Sequence, residues 1–458
     1  MINRPGFFFQ SVIIVFISAV FLWFAGCSVK GCGTTGSVIA PAVDNAGYII
    51  LAWNDLGMHC LNATYDNGVI LPPYNTLWAQ VIKRGVRPEI ITGDVSLRYR
   101  ILNNTRSYGK KNAKTGADYG QFWDNAKKLF GAVLERDTGL NLEDPQTHNG
   151  LQGEMVAMTD HFQANGIPLT PVDDSGTWNP FQVAEISLYD ADNKLLAMTR
   201  TTIPTSDEIN CGKCHNDVKP VMLDVLRKHD EKVKKVNLEK GKPKLCAECH
   251  GSPALGMKGR GSANTYLSEA IHGFHADKGA LCYDCHPGPV TRCNRSISHS
   301  ADDGNCIKCH GDLKTMADGI KKGRIPWMEE PACSDCHKGV AQVDTKSVLY
   351  RNAGTGHGNL FCPACHGSPH AMTPSSKETD NYQALQYQGK AMSLGSCGVC
   401  HDDSRGKGNM GFIKKHGESS VAFSACNVCH TQVISGEVAK WPHEFKWNAR
   451  AKKGVKIK

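Results

Sequence analysis

Eight times between residues 211 and 430 the chain repeats one unit, Cys-x-x-Cys-His, and nothing else in the sequence limits its fold as strongly. The units are Cys211/Cys214/His215, Cys246/Cys249/His250, Cys282/Cys285/His286 and Cys306/Cys309/His310, followed by Cys333/Cys336/His337, Cys362/Cys365/His366, Cys397/Cys400/His401 and Cys426/Cys429/His430. They use sixteen of the twenty cysteines and leave Cys27, Cys32, Cys60 and Cys293. A disulfide framework does not explain a histidine after every second cysteine.

The unit is the attachment sequence of c-type haem. Two thiols three residues apart reach the two vinyl groups on one porphyrin edge and form thioethers, and the next residue lies under the ring with its imidazole on the iron. Structural zinc would pair the units into Cys₄ sites and leave eight histidines idle at one fixed position. Thiol–disulfide exchange needs one or two such pairs, not eight. The cofactor expected is therefore haem c, eight copies, covalently attached.

Each iron needs a sixth ligand. Beyond the first unit the chain holds eight further histidines, His229, His272, His275, His299, His357, His370, His416 and His443, one for each expected iron. That parity argues for two histidines on every haem. The competing ligands are the seven methionines of the region, Met222, Met257, Met316, Met328, Met372, Met392 and Met410, which would raise the potential and match the number less well. Local spacing adds a constraint. His370 stands four residues after His366 and can hardly cap the same iron, so it is expected on a neighbouring haem; His272 and His275 are likewise expected on two different irons.

Residues 1–26 have a charged start and an apolar run over 12–26, which predicts an export signal. Residues 27–45, rich in Gly, Thr and Ser, are expected to be a flexible tether. Over 46–205 the pattern is strand-like: 95–102 alternates, 183–203 reads as a hairpin turning at 190–193, and 121–134 predicts a helix, together a β-rich, sandwich-like domain. Residues 206–458 form the expected octahaem cytochrome c domain, loop-rich with mostly short helices, one of them starting at Val221. The first cysteines of successive units lie 35, 36, 24, 27, 29, 35 and 29 residues apart, so the period wanders and no solenoid is implied. With so little aliphatic periodicity, this half must take its core from the porphyrins.

Charge divides the same way. Residues 27–205 carry 15 Lys and Arg against 18 Asp and Glu, and residues 206–458 carry 36 against 26. Haem propionates are the simplest counter-charge, so nucleic acid is not an expected partner. One disulfide among Cys32, Cys60 and Cys293 would leave one thiol over. A structural disulfide beside a buried His59 is expected rather than a metal or redox site at His59–Cys60, and His148 and His161 are expected at the surface.

Two resemblances add to this reading. Phe24-Ala25-Gly26-Cys27 resembles the lipobox of bacterial lipoproteins, although Phe24 replaces the usual leucine. It implies an exported protein anchored through a lipid on Cys27; an uncleaved membrane anchor is the alternative, though the apolar run is short for a span. CYDCHPGPVTRC (282–293) and CPACHGSPHAM (362–372) resemble the octahaem members of the multihaem cytochromes that metal-reducing bacteria place at their outer surface. WNDLGMHC and LPPYNTLWAQVI resemble, less specifically, the N-terminal domain of some of them. The resemblance implies electron transfer at the outer membrane and cell surface toward extracellular acceptors, with periplasmic or outer-membrane cytochromes as partners and, in some relatives, a homo-oligomer or filament. The alternative is an octahaem oxidoreductase of the nitrite, tetrathionate or hydroxylamine type, which needs one open iron.

Overall fold

A computed structural model describes residues 47–85, 87–209, 211–299, 303–337, 349–352 and 356–401. The export signal, Cys27, the tether, Cys32, Cys426, Cys429, His430, His416 and His443 lie outside the described residues, as does the Cys397 side chain.

The β-rich region is two sheets face to face. The first contains β1 (Tyr48–Trp53), β3 (Asn75–Lys83), β4 (Glu89–Ile91), β7 (Val156–Ala157) and β8 (Phe162–Ile167), with β3 pairing β1, β4 and β8, and β7 extending β8. The second runs β2 (His59–Cys60), β10 (Leu195–Ser206), β9 (Phe181–Asp190), β5 (Val95–Ile101) and β6 (Gln152–Glu154). Only β2–β10 is a parallel pair among these. In β5 the buried Leu97, Tyr99 and Ile101 alternate with exposed Arg98 and Arg100, as one buried face requires. Ile50, Leu77, Val81, Leu97, Phe162, Ile186 and Ile203, drawn from both sheets, form one core.

The expected hairpin is present as β9 and β10, with Asn193 at φ 61° in its turn. The helix expected over 121–134 is shorter: α1 (Gly120–Phe130) ends at Gly131, whose φ of 71° caps the last turn.

After Ser206 the strands give way to short helices: α2 (Val221–Lys232), α3 (Leu267–His275), α4 (Cys282–Cys285), α5 (Asp303–His310), α6 (Leu313–Lys321), α7 (Cys333–Cys336), α8 (Cys362–His366) and α9 (Tyr382–Gln388). The junction is pinned by the buried Asp207 carboxylate, which accepts from Asn112, Thr115, Tyr119 and Trp178.

The sheets and the later described residues, up to 401, pack as one compact unit. Ile49, Leu51 and Ile82 meet Leu360, Ala364, Leu394 and Val399. Tyr387 Oη donates to Ile50 O and accepts from Ile50 N, while Gln383 bonds both the N–H and the carbonyl of Ala52. Lys244–Leu245 pairs in parallel with Gly68–Val69, which ties the Cys246 unit to the cluster around α1.

Two expectations fail here. Cys60 and Cys293 are free thiols rather than half of a disulfide; Cys60 sits on β2, and burial, with Cys293 nearby, pushes its thiol up to about 12. His161 is not at the surface. It stacks on Trp78 at 4.6 Å and packs edge-on to Phe361, because Trp78 of β3 and Phe361, which precedes α8, together offer it an aromatic face. His148 is half-buried, its Nδ1 against Gly139 O. His59 is buried as expected.

Candidate haem-attachment centre

The units share a local design. In Cys-x-x-Cys-His the spacing i, i+3, i+4 puts both thiols and the imidazole on one face of a single helical turn. That turn forms: the His215, His250, His286 and His337 amides donate to the carbonyls of Cys211, Cys246, Cys282 and Cys333 at 2.9, 3.1, 3.2 and 2.9 Å. In CYDC and CSDC the aspartate caps the turn, with Leu281 N to Asp284 at 2.8 Å and Ala332 N to Asp335 at 3.2 Å.

In four of the described units the two cysteines differ in exposure. Cys214, Cys249, Cys309 and Cys336 are exposed thiols, whereas their partners Cys211, Cys246, Cys306 and Cys333 are half-buried. The first cysteine of these four units packs more closely on the protein than the second. In the units at 282 and 362 both cysteines, Cys282 with Cys285 and Cys362 with Cys365, are half-buried.

The structure brings six of the unit histidines against six of the others. Ring centroids lie 6.3 Å apart for His215–His275, 6.4 Å for His250–His229, 6.2 Å for His286–His272, 6.1 Å for His337–His299, 6.2 Å for His310–His370 and 6.2 Å for His401–His357. None of these six takes both rings from units, and His272 and His275 face different units.

This spacing fits a haem iron. A metal–imidazole bond is about 2.0 Å, and each nitrogen sits about 1.1 Å from the centre of a ring with bonds near 1.33–1.4 Å, so two imidazoles on one iron have centroids about 6.2 Å apart. Direct packing of imidazoles has no reason to hold six pairs within a few tenths of an ångström of that value.

The hydrogen bonds fit as well. Nδ1 is the bonded nitrogen in His250 (Thr265 Oγ1, 2.7 Å), His272 (Ser268 Oγ, 3.0 Å), His275 (Ile271 O, 2.8 Å), His370 (Leu56 O, 3.2 Å) and His366 (Ser393 Oγ, 3.2 Å). A carbonyl partner obliges Nδ1 to carry the proton, which leaves the Nε2 lone pair for a metal. Burial favours the neutral, ligating form. It pulls His272 down to about 4, with His286 adding to the effect, and His370 to about 4, with His310 beside it. His215, His250, His286, His310 and His357 are lowered in the same way, burial being the main cause.

The surroundings call for an apolar cofactor. Of fifteen large apolar side chains left exposed among the described residues, twelve lie beyond residue 206, among them Phe274, Leu281, Val290, Ile297 and Ile307 beside the units. Porphyrin faces would cover them.

Neighbouring units adjoin. The Cys246 and Cys211 thiols are neighbours. Lys213 and Asp284 join the units at 211 and 282 with a 2.5 Å ion pair, and α3 spans the same two through His275 and His272. α4 packs on α5. Cys333 neighbours both Cys309 and Cys362, and the half-buried Tyr350 lies near the Cys333 and Cys362 thiols, its hydroxyl donating to Gly367 O at 3.0 Å. Leu394 N donates to Cys365 O at 2.8 Å, and Ala364 and Cys400 share a cluster.

Sequence reasoning did not identify Leu56, Thr265, Ser268, Ile271 or Ser393 as partners of these imidazoles. Ser268 and Ile271 stand four residues before His272 and His275, a helical spacing that could have found them. Leu56 and Ser393 carry no such signal.

Residues 274–345, which include three of the units, match the family model of cytochrome c3. The match supports a multihaem electron-transfer cytochrome with covalently bound haem c. The comparisons with curated proteins and with solved structures find no match.

Proposed function

We propose that this chain is an octahaem conduit whose irons are each closed on both faces by histidine and pass electrons from one haem to the next. The observation that carries the reading is the set of six ring pairs at 6.1–6.4 Å, each joining one unit to one histidine outside the units. His366 and His430 then remain for His416 and His443, two for two.

The haems follow the order of adjoining units: Cys246, Cys211, Cys282, Cys306, Cys333, Cys362, Cys397. The first two are exchanged relative to the sequence because α3 ties the unit at 211 to that at 282. A closed iron binds no substrate, so the protein contributes spacing, solvent exclusion and tuning of the potentials.

The chain is exported and held at the outer membrane by a lipid on Cys27. There it receives electrons from other cytochromes and delivers them to extracellular acceptors. The lipobox-like residues and the resemblance of 282–293 and 362–372 support this placement.

The test is electron paramagnetic resonance on the oxidised, purified protein, with spins counted against total haem. Eight haems per chain, all low-spin, is the expected result. A high-spin signal near one haem in eight would overturn the closed-iron reading in favour of an oxidoreductase with one open site.

A further inference from the structure

We infer that the turn Asn54–Gly57, contributed by the β-rich region, is the outer clamp on the haem ligand His370. It sets the tautomer, orientation and potential of the haem attached through Cys306 and Cys309. The inference rests on the haem reading above.

Three carbonyls of this turn point at the loop that carries His370 and at the arginine beside it. Asn54 O accepts from Ser368 Oγ at 2.7 Å, Leu56 O from His370 Nδ1 at 3.2 Å, and Gly57 O from Arg295 Nη1 at 2.8 Å. Arg295 in turn donates its own amide to His370 O at 2.6 Å and holds Asp380 with two bonds.

The turn is held from behind. Asn54 is fully buried; its Oδ1 accepts from Gly57 N at 2.7 Å, and its Nδ2 donates to Asn75 Oδ1 at 2.6 Å and Thr76 O at 3.0 Å. Asp55 accepts from Thr76 Oγ1, with His59 Nε2 at 3.3 Å.

Glycine is required at 57 for two reasons. Its φ is 76°, and an added Cβ would lie 3.2 Å from His370 N and 3.4 Å from both His370 Cβ and Ser368 Cβ. The turn therefore approaches the ligand loop as closely as backbone allows. A carbonyl accepting from Nδ1–H raises the basicity of Nε2 and holds the ring plane, so losing it weakens the bond to iron by about 10–100-fold.

The experiment uses the full-length holoprotein. In Gly57→Ala the added methyl pushes the loop away. One haem in eight is then expected to turn high-spin or to titrate at a raised potential, while eight haems stay covalently attached. His370→Met marks the same haem, and adding Gly57→Ala to it should perturb no second one. Asn54→Ala, which removes the latch without a clash, should give a weaker change at the same haem; it carries the test if Gly57→Ala does not fold.

Unchanged spectra and potentials in Asn54→Ala and Gly57→Ala would overturn the inference, as would several haems changing together, the mark of a merely structural role. Failure of the haem reading looks different: the wild type itself would lack eight low-spin haems.

Discussion

Replacing Arg295 with methionine removes one partner of an ion pair whose side chains are 3 and 4% exposed. Arg295 Nε and Nη2 donate to the two Asp380 oxygens at 2.7 and 3.0 Å, and in the variant Ser375 Oγ is left to hold that carboxylate. Stranding a buried charge costs about 3–5 kcal/mol. The described unit that unfolds runs from residue 47 to 401, and at about 2.1 cal/mol/K per residue its unfolding entropy is about 0.75 kcal/mol/K, so the melting temperature should fall by about 4–7 °C. The assay is a far-ultraviolet circular dichroism melt of the holoprotein, run beside Arg295→Met/Asp380→Asn. The double variant no longer buries an unpaired charge and should melt above the single one. A single variant within about 1 °C of wild type, or a double that loses more than the single, would refute the reasoning.

Three further outcomes are expected. His272→Ala and His275→Ala should each open one iron, at the units of 282 and 211 respectively, and the double variant should open two; spin-counted paramagnetic resonance reads this as one, one and two high-spin haems. Burial alone would raise the Glu185 carboxyl, but Arg100 and Arg200 hold it below the usual carboxylate range. Its stabilisation is therefore full at neutral pH and disappears as pH falls through the lowered folded value, so Glu185→Gln should be less stable at pH 7 and flatten the acid limb of stability in denaturant melts from pH 7 to 3. Deleting residues 47–205 should cost haem spectra and folding rather than partner binding alone, because Ile49, Leu51 and Ile82 pack on the residues around the Cys362 and Cys397 units; haem content after purification checks it.

The attachment units could be read directly because their chemistry is local: two thiols and an imidazole share one helical turn whatever surrounds it. What surrounds it was not legible, and so the exposure of Cys214 and Cys249 beside half-buried Cys211 and Cys246 comes only from the fold. The sandwich strands were nearly as legible as the units, since a sheet with one buried face forces the alternation seen in Val95–Ile101. The short helix α9 was not, because its seven residues hold too few apolar positions to show a period; α6 carries Leu313, Met316, Ala317 and Ile320 at i, i+3, i+4 and i+7, a helical signal that sequence reasoning passed over.

The number of spare histidines is also a property of the sequence, but their pairing is not. His370 is four residues from His366 and sixty from His310, yet its ring lies against His310. The order of units is exchanged at the start because one helix presents His272 and His275 to two of them. A ligand's partner depends on where distant loops come to rest, and here a turn of the β-rich region sets the position of His370. Burial of that kind depends on the whole chain, so no stretch of sequence around the histidine carries it.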